Sequence, residues 1–286
     1  MGQSIKGIKD RIRSVEKIHK VTSAMQTISV VKYSRTEKEL LPLRLYFLKL
    51  EEVLNNLFLS NESLSNPYLS DKSTGKKTCL CIIVSDSGLC GKYNDNILEA
   101  GSEFIKKTGE DTMQLVLVGK KAATYFKNNG SIKVLRSYAG LNGRYSPQIG
   151  NEIAQFLTDI FLSGQAGCVY AGYTHFKNAL TLEPKIERFL PLKTKSPGKT
   201  EYLLCEPDIN NILREIIPKY LNTKLRLLFM EAFTAEHAGR AVAMKTATEN
   251  AKEMLAGLVL LRNKVRQANI TQEITEVISS VEALKG

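Results

Sequence analysis

Met244-Lys-Thr-Ala-Thr-Glu-Asn-Ala-Lys-Glu-Met-Leu-Ala-Gly-Leu-Val-Leu-Leu-Arg-Asn-Lys-Val-Arg-Gln-Ala268 sets Met244, Ala247, Ala251, Met254, Leu258, Leu261, Val265 and Ala268 at alternating steps of three and four. That alternation is the a/d seam of a coiled coil. The alanines in it call for close approach of a partner helix rather than bulky knobs. Past Ala268 the stripe moves to Ile270, Ile274, Val277 and Val281. The helical region begins near Asp208, and Pro218 should break or kink it close to its start. From Leu221 onward it would span roughly 95 Å.

A stripe this long can be hidden only against something equally long, and the other end of the chain supplies it. Between Ser4 and Ser60, Ile5, Ile8, Ile12 and Val15 repeat at helical spacing, and Ile18, Val21, Met25 and Ile28 continue the stripe with a small drift. One gently supercoiled helix of roughly 80 Å fits this pattern, with a kink expected at Pro42. Both helices leave the same middle region, so they should pair antiparallel.

The middle reads on a different period. Asn61 to Gly75, rich in Ser and Asn, reads as a linker. Thr78-Cys-Leu-Cys-Ile-Ile-Val84 is a short apolar run suited to a strand buried on both faces. Helix is expected over Asn94 to Lys107, strand over Met113 to Val118, helix over Lys120 to Asn129, strand over Lys133 to Arg136 and helix over Ser146 to Ser163. Strand-like runs at Cys168 to Thr174, Thr181 to Leu192 and Glu201 to Leu204 close the region, the last two expected to pair as an antiparallel edge. Alternation of this kind implies a Rossmann-like α/β domain with parallel strands. The expected organisation is therefore 1–60 and 208–286 as an antiparallel coiled-coil shaft, with 76–207 as an α/β head and 61–75 as the linker.

Catalysis finds little support. Ser85-Asp-Ser-Gly-Leu-Cys-Gly-Lys-Tyr-Asn94 lies between a strand and a helix, where phosphate loops sit, but matches neither the dinucleotide nor the P-loop spacing. Gly198-Lys-Thr200 imitates the end of a P-loop, yet Lys193 occupies the position of its first glycine. His19, His175 and His237 lie in three different regions, and no cluster has metal-ligand spacing. The five cysteines, Cys79, Cys81, Cys90, Cys168 and Cys205, read as reduced core thiols, with Cys79 and Cys81 on one side of a strand. No cofactor, no metal and no active site are expected. A net charge of +11 admits nucleic-acid or membrane binding, but the basic residues do not cluster with aromatics. An acidic protein partner accounts for them equally well. No apolar run is long enough to span a membrane, and no signal-peptide block precedes the first helix.

Several of these segments resemble one family. Ser85 to Asn94 is similar to the loop that marks ATP synthase gamma subunits. Arg240-Ala-Val-Ala-Met-Lys-Thr-Ala-Thr-Glu-Asn-Ala251 and Asn263-Lys-Val-Arg-Gln-Ala-Asn-Ile-Thr-Gln-Glu-Ile-Thr-Glu276 resemble its C-terminal helix. Lys20-Val-Thr-Ser-Ala-Met-Gln26 resembles its N-terminal one. The resemblance implies a central-stalk rotor that couples a proton-driven membrane ring to chemistry in a collar of alpha and beta subunits, with the head beside the epsilon subunit. It implies a peripheral place on the cytoplasmic face of a bacterial inner membrane. It also implies coupling contacts to beta subunits at Met25, Arg240, Arg266, Gln267 and Thr271, and a head loop formed by Gly88, Leu89, Cys90 and Gly91. Two alternatives stay open: a rotor of a divergent assembly lacking a proton-driven ring, and a nucleotide-binding α/β protein.

Overall fold

The computed structural model describes residues 5–59, 66–70, 77–127, 132–193 and 209–283. Helix α1 (Ile5–Leu59) and the last helix, α5 (Ile209–Ala283), enclose everything else in chain order. Between them come β1 (Lys77–Ile83), α2 (Tyr93–Thr108), a 3-10 turn (Glu110–Thr112), β2 (Met113–Val118), α3 (Lys120–Lys127), β3 (Lys133–Tyr138), α4 (Pro147–Leu162), β4 (Ala166–Asn178) and β5 (Thr181–Leu190). By internal contacts the chain divides into two compact units, Met1–Ile28 with Ala241–Gly286, and Ser29–Arg240.

The larger unit is built on a five-stranded sheet of order β3-β2-β1-β4-β5. β1 pairs in parallel with β2 and β4, and β2 with β3, while β4 and β5 are antiparallel. From Cys79 onward β1 is apolar and covered on both faces. Cys79, Cys81 and Ile83 enter one core with α4 and parts of α1 and α5, and Leu80, Ile82 and Val84 enter another with α2 and α3. Cys79, Cys81, Cys90 and Cys168 are buried and unbridged, and Cys205 lies outside the described residues. α4 starts with Pro147 directly after Ser146, where a missing N–H costs nothing.

The expected pairing of Thr181 to Leu192 with Glu201 to Leu204 falls on residues outside those described; among the described residues β5 pairs antiparallel with β4. Two expectations change. β4 is longer than its apolar run. It pairs with β1 only as far as Gly172, and beyond that it continues with β5 alone as a two-stranded ribbon. Phe176 and Leu182 of that ribbon pack with Leu40 and Tyr33 of α1. Finally, the helix assignment runs unbroken through Pro42 and Pro218. Each proline removes one amide donor, and the packing of Leu40, Leu213, Ile217 and Leu221 into the cores offsets that loss.

In the smaller unit Ile8, Ile12 and Val15 are buried, as are Met244 and Ala251. The Thr248 hydroxyl donates to the Thr22 hydroxyl at 2.9 Å and fixes the pairing of the two helices there. The stripe does not stay covered. Ile18, Val21 and Ile28 are 54–57% exposed, as is Met254 at 56%.

Candidate functional site

In a doubly wound sheet the ligand crevice opens where neighbouring strands send their connections to opposite faces. Here that point lies between β1 and β4, and the loop after β1, residues 84–92, borders it. Asp86 organises this loop. One carboxylate oxygen accepts the N–H groups of Lys120 and Gly140, both at 3.0 Å, and the other accepts that of Asn142 at 2.8 Å. Burial alone would raise its pKa, but the three backbone donors outweigh burial and hold it below the ordinary carboxylate value. One side chain thus ties together the loop, the start of α3 and the segment after β3.

The loop's floor is polar and buried. Ser85 donates its N–H and its hydroxyl to Asn94 Oδ1, and Asn94 Nδ2 points to Cys90 Sγ at 3.1 Å. The Cys90 thiol is raised by burial, so it stays protonated and unreactive near neutrality. At the loop's tip Leu89 takes φ 62°, a left-handed conformation, and is 60% exposed. For a residue with a β-carbon this costs about 1–2 kcal/mol, and it persists only where the surroundings impose it.

Helix α5 supplies that constraint. Arg240, 7% exposed, donates to Glu236 Oε1 at 2.8 Å, to Ser87 Oγ at 2.9 Å and to the Gly88 carbonyl at 3.3 Å. Gly239 sits against the loop. A β-carbon there would lie 3.0 Å from the Cys90 carbonyl oxygen and 3.2 Å from Leu182 Cδ1. Ala235 and Ala238 share a core with Cys90 and Tyr93. The small residues of this helical turn therefore let α5 occupy the crevice in which other sheets of this order hold a dinucleotide. The adjoining groove outside the loop is lined by Leu89, Gly91, Asp95, Lys121 and Tyr125, and Asp95 in the first turn of α2 repels a phosphate. Among the described residues no group of His, Cys, Asp and Glu could hold a metal ion.

Of the residues expected to carry function, the structure joins Arg240 to the head loop Gly88 to Gly91. Met25 is half-buried on α1 in the smaller unit. Arg266, Gln267 and Thr271 are exposed along the far part of α5, where the Thr271 hydroxyl donates to the Gln267 carbonyl. Sequence reading missed Asp86, His237 and the ion network at Glu231. A signal for two of them was present: Glu231, Glu236 and His237 interrupt the mostly apolar stretch Leu227 to Ala238, and charges there need partners.

An α/β domain carried between two long terminal helices, its crevice filled by one of them, has the fold of ATP synthase central stalks. A chain in a structure of the Euglena gracilis mitochondrial ATP synthase comprising OSCP, F1 and c-ring aligns with TM-score 0.67 at 16% identity over 98% of this chain and 94% of that one. The central stalk of the Tetrahymena thermophila mitochondrial ATP synthase aligns with TM-score 0.61 at 21% identity over 79% and 99%. The sequence profile of the ATP synthase family matches residues 4–284. The ATP synthase gamma chain of Geotalea uraniireducens is 35% identical over 288 residues, and that of Chlorobium phaeobacteroides is 32% identical over 293, each covering 99% of both chains. The chain belongs to the ATP synthase gamma chain family.

Proposed function

We propose that this chain is the central-stalk rotor of an F-type ATP synthase, turning inside a collar of alpha and beta subunits. On this reading its head stands on the membrane rotor ring beside the epsilon subunit, on the cytoplasmic face of the membrane, as a peripheral part of the complex. No helix among the described residues is long and apolar enough to cross a membrane. The observation that carries the reading is the far end of α5. Ile270, Ile274, Val277, Ile278 and Val281 are 46–63% exposed. Burying such a side chain fully is worth about 1.5–3 kcal/mol, so a stripe of five demands a cover. Among the described residues the helix pair leaves it open. With Thr22 beside Thr248 and the helices antiparallel, the beginning of α1 lies opposite the region of Val265. A collar closing around the protruding helix covers the stripe, and the exposed Arg266, Gln267 and Thr271 make its polar contacts.

Torque then comes from differential contact. An asymmetric shaft favours a different state in each surrounding beta subunit, and rotation moves those preferences round the ring. The chain itself holds no cofactor and performs no chemistry on this reading, which the filled crevice and the protonated Cys90 support. The test is direct. In the purified complex, with the collar fixed to a surface and a bead on this subunit, ATP should drive continuous rotation. A stationary bead during steady hydrolysis overturns the reading.

A further inference from the structure

Within the larger unit a cavity of about 350 Å³ lies between α1, α5 and the segment joining β3 to α4. Its lining gathers four cations, Lys32, Arg35, Arg144 and Arg226, against one carboxylate, Glu39. Arg35 spends its charge on Glu39 at 3.3 Å. Lys32, Arg144 and Arg226 have no ion-pair partner among the described residues. Arg226 lies over the Tyr145 ring, 5.7 Å from its centre, a contact that orients the guanidinium without neutralising it. Helix α4 begins at the same place. Pro147 is part of the lining, Ser146 makes no side-chain cap, and the first N–H groups of a helix have no carbonyl of their own to bind. They add partial positive charge to the three cations.

One further group distinguishes this cavity from a merely basic surface. His237 lines it and is 1% exposed. Its Nε2 meets the Gly143 carbonyl at 3.0 Å, and a carbonyl only accepts, so Nε2 carries the hydrogen. Nδ1 is left with a lone pair, and it has no partner among the described residues. A buried acceptor left unsatisfied is costly. In a cationic wall, such an atom suits an anion that also carries a hydrogen. We propose that the cavity binds a phosphate-class oxyanion, its charge met by Lys32, Arg144, Arg226 and the start of α4, and a P–OH group donating to His237 Nδ1. One phosphate carries about −1.5 to −2 charge at pH 7, which leaves a cation unanswered, whereas two linked phosphates answer all three. The ligand of best fit is therefore a diphosphate, free or at the end of a nucleotide. The site lies in one unit of the chain and does not depend on the rotor reading.

Calorimetric titration of the full chain at matched ionic strength tests the site, with diphosphate, ADP, phosphate and sulfate as probes. Diphosphate should bind once per chain, about tenfold tighter than phosphate. Phosphate should bind more tightly than sulfate, which has no less charge but no hydrogen to donate. ADP binding at least as tightly as diphosphate names a nucleotide as the source, and diphosphate binding without ADP names the inorganic ion; both support the site. Arg144→Gln and Arg226→Gln replace exposed side chains, so both proteins should fold. Each should weaken diphosphate about tenfold, the loss of one hydrogen bond to a charged group. Lys107→Gln removes an equal charge from the last turn of α2 and should leave binding unchanged. The proposal is overturned by sulfate binding as tightly as phosphate, by Lys107→Gln weakening diphosphate as much as the cavity variants, or by no saturable binding. A glutamate oligomer binding as tightly as diphosphate also overturns it, by making an acidic protein segment the occupant.

Discussion

Arg44 and Glu231, 187 positions apart, meet side by side, with Arg44 Nε 2.6 Å from one carboxylate oxygen and Nη2 2.7 Å from the other. Glu231 also accepts the Phe176 N–H at 2.9 Å and lies 3.2 Å from His175 Nδ1. One carboxylate thereby joins α1, the β4 ribbon and α5. Its side chain is only 4% exposed, so losing the guanidinium would leave a buried charge short of its main partner. Arg44→Met should destabilise the chain by about 3 kcal/mol, the low end for breaking a buried pair because two partners remain. Arg44→Met with Glu231→Leu should recover part of that loss, since an apolar pair of similar volume is tolerated. Urea unfolding of the three proteins measures both effects.

His237 makes stability depend on pH. It is buried, its Nε2 sits 3.0 Å from the Gly143 carbonyl, and burial pushes its pKa down to about 4, with Arg240, Lys32 and Arg144 adding to the shift. The folded chain therefore keeps His237 neutral at pH values where the unfolded chain protonates it. Stability from this group is complete above about pH 6.5 and falls away as pH drops toward 4, by about 3 kcal/mol in all. Glu236, raised by burial, works in the opposite direction, because the folded state binds its proton more readily. His237→Asn should flatten the fall in urea midpoint between pH 6.5 and 4. An equally steep fall in the variant would show that another group is responsible.

Gly119 ends β2 at φ 98°, where a β-carbon would lie 2.3 Å from the Val84 carbonyl oxygen. Backbone cannot step aside as a flexible side chain can. Gly119→Ala adds left-handed strain of about 1–2 kcal/mol to that overlap, so a total loss of about 3 kcal/mol or more is expected. Thermal unfolding is the check. The same substitution at Gly257, where no atom lies within 4 Å, is the control and should be neutral or slightly stabilising, since alanine is the better helix former.

The long helices and the parallel strands were legible because each rests on a local period. Steps of three and four from Met244 to Ala268, and the unbroken apolar run of β1, carry their structures with them. The ribbon of β4 and β5 was not legible in full. Past Gly172 its partners include α1, and no local pattern in Tyr173 to Asn178 announces a helix from far away in sequence. The prolines misled for a related reason, since the cost of a missing amide is local and the packing that offsets it is not. Arg240 and the head loop stand 152 positions apart. The resemblance named both, but only the fold shows that one holds the other.

The exposed contacts expected along α5 and on α1 separate stability from coupling. Arg266 and Gln267 are solvent-facing, and surface substitutions away from special features usually change stability by about 0.5 kcal/mol or less. Arg266→Leu with Gln267→Leu should therefore leave the unfolding of the isolated chain unchanged while weakening ATP-driven proton pumping in the complex. Met25 is half-buried, yet a lysine can extend its charge into water along an apolar stem, so Met25→Lys should also fold. On the rotor reading, its new charge would pair with a carboxylate of the surrounding collar and hold it through steps when it should let go. Hydrolysis should then continue with fewer protons moved per ATP, and the defect should lessen at high salt because screening weakens an exposed pair. A salt-independent defect would point to packing at Met25 rather than to charge, and full coupling in both variants would remove these residues from the contact surface.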